Sequence, residues 1–169
     1  MAVTHKLIQT ITVGSGGSAS IDFTSIPQTY TDLLVLYSAR SARAAVGDDV
    51  YIRFNGLSTN LSSRTLYGTG SATASYSDAS VAYIGYAVGD TSTASVFSNG
   101  NIYIPNYVGS TNKSVSGDVV SENNATGATQ QFAAGLWSST AAITQLTIYC
   151  LNGNFKQYSS ASLYGIKNS

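Results

Sequence analysis

The sequence predicts an all-β fold, a single-domain antiparallel β-sandwich that is jelly-roll-like, and three observations carry that prediction. Charged residues are only 9% of the 169, against about 25% in an average globular protein. The polar share comes instead from 26 Ser and 18 Thr, alongside 16 Gly and 12 Tyr. Surface helices need Glu, Lys and Arg for their outer faces, and this chain has one Glu, Glu122. Hydroxyl-bearing, β-branched and aromatic side chains suit the half-buried surface of a sheet. The third observation is spacing, because short apolar runs alternate with turn residues along the whole chain.

Taken in order, Leu7 to Val13 reads as a first strand with Leu7, Ile11 and Val13 on one face. The glycine-rich stretch from Gly14 to Ser18 then predicts a hairpin into Ala19–Phe23, since glycine supplies positive φ in tight turns. Pro27 fixes its own φ and disfavours helix at Ile26. Asp32 to Ser41 is the most apolar segment and reads as a central strand, with Leu33, Val35 and Tyr37 facing one way. Val50 to Phe54 ends at Asn55-Gly56, a strong turn signal. Leu57 to Ala79 is polar and reads as a long loop with short strands. Val81 to Val88 is another strand. Ala94–Ser98 and Asn101–Ile104 flank Asn99-Gly100 and read as a hairpin. Lys113–Glu122, Gln130–Trp137, Ile143–Cys150 and Ala161–Ile166 complete nine or ten strands. Turns are expected at Asn123-Asn124, Ser138-Ser139 and Asn152-Gly153-Asn154. This spacing suggests a sandwich or jelly roll spanning residues 7–169, with residues 1–6 as a loose N-terminal arm.

Composition also narrows function. Eight basic residues balance eight acidic ones, whereas a domain that binds nucleic acid through phosphates needs a basic excess. Nucleic acid is therefore not an expected partner. Neutrality removes a colloidal defence against association, which suits a protein that works inside an assembly. No signal-peptide pattern is visible at the N-terminus. No apolar stretch approaches the roughly 20 residues that cross a bilayer, so no membrane insertion is expected. The single Cys150 rules out an internal disulfide or multi-cysteine zinc site, and its strand setting reads as core packing.

No catalytic constellation can be read from the residues. His5 is the only histidine and stands near the N-terminus, whereas a nucleophilic triad needs an imidazole held rigidly by a third group. The acids Asp22, Asp32, Asp48, Asp49, Asp78, Asp90, Asp118 and Glu122 could in principle supply a glycosidase pair, but most flank turns, where Asp caps backbone groups. Asp48-Asp49 lacks the spacing of a calcium loop. The expectation is a non-enzyme with no metal and no cofactor. Tyrosine is the enriched side chain that could carry function, because it buries a large ring while keeping a polar tip. Tyr76, Tyr83, Tyr86, Tyr103, Tyr107 and Tyr158 are the candidates. Tyr103 and Tyr107, around Pro105-Asn106, are the preferred interface residues. The sequons at Asn60, Asn112 and Asn124 carry little weight without a secretory signal.

Several blocks together resemble short virion structural proteins of tailed bacteriophages. They are Phe23–Leu33 (FTSIPQTYTDL), the strand Tyr51–Phe54 before its Asn-Gly turn, Gly135–Thr144 (GLWSSTAAIT) and Ser162–Ile166 (SLYGI). The resemblance runs in the same order over most of the chain and is least clear from Leu57 to Gly127. It implies a place in the virion and supplies no catalytic residues. The expected role is a capsid decoration (cement) protein that binds the assembled shell, made in the host cytoplasm. Phage capsid or tail proteins are the expected partners, in a homo-oligomer for which a trimer is preferred. The alternatives are a receptor-binding module of a tail or head fibre that recognises host surface glycan, and a glycan depolymerase.

Overall fold

The computed structural model describes residues 4–123 and 127–167. These contain twelve strands and no helix. The strands are β1 (Thr4–Thr12), β2 (Ser20–Phe23), β3 (Asp32–Ala39), β4 (Gly47–Phe54), β5 (Leu61–Gly68), β6 (Thr73–Asp78), β7 (Ala82–Val88), β8 (Ser98–Ile104), β9 (Lys113–Ser121), β10 (Thr129–Trp137), β11 (Leu146–Cys150) and β12 (Ser160–Lys167). They form two antiparallel sheets, one of eight strands in the order β1-β12-β3-β8-β9-β10-β5-β6 and one of four in the order β2-β11-β4-β7. The sandwich is thus established. The eight-plus-four order does not establish the narrower jelly-roll expectation.

Strict alternation of side chains explains why the larger sheet buries one face. Along β9, Lys113, Val115, Gly117, Val119 and Ser121 are buried and the residues between them are exposed, as a strand with a period of two requires. Leu33, Val35 and Tyr37 line the inner face of β3 as the sequence predicts. Across the sandwich Phe54 of β4 stacks on Trp137 of β10, with ring centroids 5.4 Å apart and both side chains wholly buried. Small residues let the layers close. A Cβ on Gly117 would lie 2.7 Å from the Ile84 carbonyl oxygen, so the two sheets approach backbone to backbone there.

Five features differ from the sequence reading. Thr4, His5 and Lys6 are not an arm, because they pair with Lys167, Ile166 and Gly165 of β12. Met1 to Val3 lie outside the described residues, as does Asn124. A register shift between Leu7 and Gln9 exposes Leu7 and packs Ile8 and Ile11 against the core. β1 and β2 are not a hairpin, since β1 pairs with β12 and β2 with β11 in the opposite sheet. Asn99-Gly100 is not a turn either: both lie inside β8, opposite Ser38 and Tyr37. Glycine is needed at position 100 because the Tyr37 ring lies across it, 2.5 Å from where a Cβ would stand. Finally, the segment read as a long loop forms the antiparallel pair β5–β6. By contrast the Asn55-Gly56 turn is present, with φ of 53° and 72°.

The larger sheet does not stop at the edge of the smaller one. β7 is the last strand of its sheet, yet β9, β10 and β5 all pack against it. Ala82 and Ile84 of β7 face the main core. Tyr83 between them points the other way and is still buried, against Ala133 of β10. The end of the eight-stranded sheet therefore curls past β7 and covers that edge, one of the ways natural sheets avoid unwanted strand pairing.

Candidate functional site

Two surfaces follow from this architecture. The first is the outer face of the eight-stranded sheet. Cross-strand register aligns Leu7, Tyr164, Leu34, Tyr103, Ser116, Ala134, Arg64 and Ser77 in one row from β1 to β6. The adjacent row runs Thr10, Ser162, Leu36, Asn101, Asp118, Phe132, Leu66 and Ser75. Arg64 and Asp118 are the only charges in these sixteen positions, and Asp118 accepts a 2.6 Å hydrogen bond from Asn101 Nδ2. Phe132 (64% exposed) and Leu66 (55%) stand directly opposite each other, with Val120 on the next strand also open to solvent. A shallow groove of about 570 Å³ runs between these rows and the backbone of β5, β6 and β10.

Tyr103 lies on this face and is partly exposed. Its hydroxyl donates to Asp32 Oδ2 at 2.8 Å, and this bond, with some burial, raises its pKa. Tyr107 does not belong to it. The ring is wholly buried in the main core and its hydroxyl donates to the Pro27 carbonyl. The loop that follows Pro105 folds inward, so the pairing of Tyr103 with Tyr107 as surface anchors is corrected to Tyr103 alone. Tyr158 is 69% exposed in a turn and holds φ at 73°.

The second surface is a cleft of about 280 Å³ where the curled sheet meets β4 and β7, lined by Asp49, Tyr67, Tyr76, Tyr83, Tyr86, Thr129 and Gln131. Its rings belong to a longer chain of tyrosines. Tyr149 stacks on Tyr51 at 5.7 Å, Tyr51 meets Tyr83 edge-on at 5.8 Å, Tyr83 meets Tyr76 at 5.4 Å, and Tyr76 meets Tyr67 at 6.1 Å. At the outer end the Arg53 guanidinium lies 4.1 Å above the Tyr149 ring. The Tyr83 hydroxyl donates to Gln131 Oε1, and Gln131 Nε2 donates to Thr129 Oγ1 at 3.1 Å. Burial raises the pKa of Tyr51, Tyr76, Tyr83 and Tyr86. Burial, and then the neighbouring Asp48, raises that of Asp49.

The adjacent carboxylates Asp48 and Asp49 alternate across β4 and so cannot converge on one ion. Asp48 is fully buried, where it accepts from Ser41 Oγ at 2.7 Å and from Asn152 Nδ2 at 3.1 Å. Asp49 faces the cleft. The remaining acids are also dispersed, with Asp22 held by Thr147, Asp78 by Ser80 and Asp90 by Lys156. His5 sits exposed on β1, and Cys150 is buried. Among the described residues no three His, Cys, Asp or Glu side chains are grouped to hold a metal ion.

Tyr76, Tyr83 and Tyr86 were legible as functional candidates from sequence. The partners Asp49, Tyr67, Thr129 and Gln131 were not, because their convergence depends on the curl of the sheet around β7. The strand-interior Gln131, polar among inward-facing Ala133, Gly135 and Trp137, is the one local signal that this stretch meets something other than core. No protein family, curated protein sequence or solved structure matches the chain significantly.

Proposed function

We propose that the protein is a non-enzymatic structural component of a phage particle, a decoration protein that docks on the assembled shell through the outer face of its eight-stranded sheet. The observation that carries this reading is that face: two aligned rows of mostly apolar and hydroxyl side chains with two charges between them. Burying such a surface is favourable at about 25 cal/mol per Å² of apolar area, and few charges lose solvation. Binding only the assembled shell stabilises it by mass action, which requires a rigid fold and no chemistry. The sequence resemblance described above supports the virion setting.

The glycan-binding alternative ranks second. Sugar recognition needs hydrogen-bonding groups held ready beside aromatic faces, and in the tyrosine cleft the Gln131 amide is engaged at both ends.

The test is attachment of the recombinant protein to undecorated particles across sodium chloride concentrations. Docking by apolar burial persists into molar salt, whereas charge-driven docking is screened over about 10 Å already at 0.1 M. Phe132→Asp and Leu66→Asp should each abolish attachment while circular dichroism and thermal stability stay native. Attachment unaffected by both substitutions, or lost at moderate salt, overturns the reading.

A further inference from the structure

The tyrosine cleft has a chemistry of its own, separate from the docking face. Three of its polar side chains are joined in one chain, as Tyr83 donates to Gln131 and Gln131 to Thr129. Apart from that chain the lining is a set of electron-rich tyrosine rings and one carboxylate. Tyr76 stands at 69° to Tyr83 and at 62° to Tyr67, so the rings form walls rather than a flat stack. Asp49 makes no side-chain hydrogen bond among the described residues. Arg43, the cation that acts on it, is turned to the Gly47 carbonyl at 3.2 Å and the Asp48 carboxylate at 3.7 Å. No lysine or arginine lines the cleft. The same run of tyrosines already holds one cation at its far end, where Arg53 covers Tyr149.

We propose that this cleft is a binding site for an organic ammonium ion, a quaternary or methylated amine, with Tyr67, Tyr76 and Tyr86 as the cage and Asp49 as its counter-charge. A trimethylammonium head is apolar enough to sit against rings without needing donors from the protein. It is attracted by the ring quadrupoles within about 6 Å, the basis of aromatic cages for choline and methyl-lysine. A volume of about 280 Å³ admits such a head with part of its chain. A neutral sugar gains less here, because the amide that would hydrogen-bond its hydroxyls is already paired. After burial, the Asp49 charge contributes to the raised hydroxyl pKa of Tyr51, Tyr76, Tyr83 and Tyr86, as expected for a carboxylate that lines the cleft beside these rings.

The experiment is a titration of the intact protein with choline, followed by ¹H–¹⁵N nuclear magnetic resonance. The controls are 3,3-dimethylbutanol, the neutral isostere, and methyl glucoside. Choline should shift the amides of Tyr76, Thr129 and Gln131, and the neutral isostere should bind about tenfold more weakly or not at all. Asp49→Asn keeps the shape and removes the charge, and should weaken choline by about five- to tenfold. Tyr76→Leu, at an exposed edge-strand position, should weaken it by about threefold or more, with native thermal stability as the check on folding in both variants. Free trimethyllysine and phosphocholine separate the sources of the head group: Asp49 should disfavour phosphocholine, whose phosphate adds negative charge, and accept trimethyllysine. Equal binding of choline and its isostere, shifts confined to other amides, or a preference for methyl glucoside would each overturn the proposal. Failure here leaves the docking face untouched, since Phe132 and Leu66 lie on the opposite side of the sheet from Tyr76.

Discussion

Replacing Gly100 with Ala tests the packing of the central strands directly. The added Cβ would stand 2.5 Å from Tyr37 Cζ and 2.7 Å from Cε1, whereas carbon atoms rest about 3.5–4.0 Å apart. The ring must therefore retreat by about 1 Å. It has nowhere to go, because the Tyr37 hydroxyl already occupies the space over Gly85, 2.3 Å from where a Cβ would be there. Overpacking of this kind costs about 1–3 kcal/mol, offset by the roughly 0.5–1 kcal/mol that Ala gains over Gly in a strand. The net expectation is a loss of about 1–2 kcal/mol. Urea unfolding can be followed through Trp137, the single tryptophan, wholly buried against Phe54. With a slope of about 2 kcal/mol per molar, the midpoint should fall by roughly 0.5–1 M. In a Tyr37→Leu background the same substitution should cost almost nothing, a coupling of about 1 kcal/mol or more between the two sites. A Gly100→Ala protein as stable as the parent, or an equal cost in both backgrounds, refutes the reasoning.

Three further outcomes are expected. Arg40 is buried and its guanidinium donates to the carbonyls of Thr93 and Val96 at 2.8 Å and of Ser92 at 2.9 Å, so Arg40→Met should cost about 2–4 kcal/mol and open the segment 90–97 to limited proteolysis. Burial raises the pKa values of Tyr37, Tyr51 and Tyr83 above the ordinary 10; the unfolded chain then loses those protons first, so stability is flat below about pH 9 and falls as pH rises through 10. Tyrosinate absorbance at 295 nm should show these three ionising only as the protein unfolds, and free ionisation near pH 10 with the fold intact would contradict it. Burial, and then Asp48, pushes the Cys150 thiol up to about 12, so a thiol reagent at pH 8 should label it only in denaturant.

The strands were legible where burial follows a period of two, as in β3, β9 and β10. The places where sequence misled are those where local chemistry has two uses. Asn99-Gly100 has the residues of a hairpin turn, but its glycine serves a ring from the neighbouring strand. Gly14 to Ser18 has the residues of a hairpin, but the chain uses them to change sheets. β5 and β6 were obscured because β5 turns Ser63 and Thr65 inward and Leu66 outward, and β6 carries Ser75 and Ser77 on its outer side, so neither strand shows an apolar face to a reader without its partner. Tyr107 illustrates the limit for a site: a tyrosine after a proline turn fits a surface loop and a core equally well, and only the fold selects. The cleft was the least legible, because Asp49, Tyr76 and Gln131 are drawn together from three strands by tertiary curvature.

The ladder between β1 and β12 also governs how the chain reaches this state. Thr4 pairs with Lys167 and Thr12 with Ser160, and β12 in turn joins β1 to β3. Until residues 160–167 have emerged from the ribosome, β3 therefore has no neighbour on that side, and Leu33, Val35 and Tyr37 flank an open backbone edge. Non-local pairings of this kind fold in milliseconds to seconds, because loop closure must precede the contacts that reward it. During synthesis that edge is the part of the molecule most able to pair with another copy. A chaperone that acts on the nascent protein would find its substrate there, and a chain cut short before residue 160 would aggregate through β3 rather than fold.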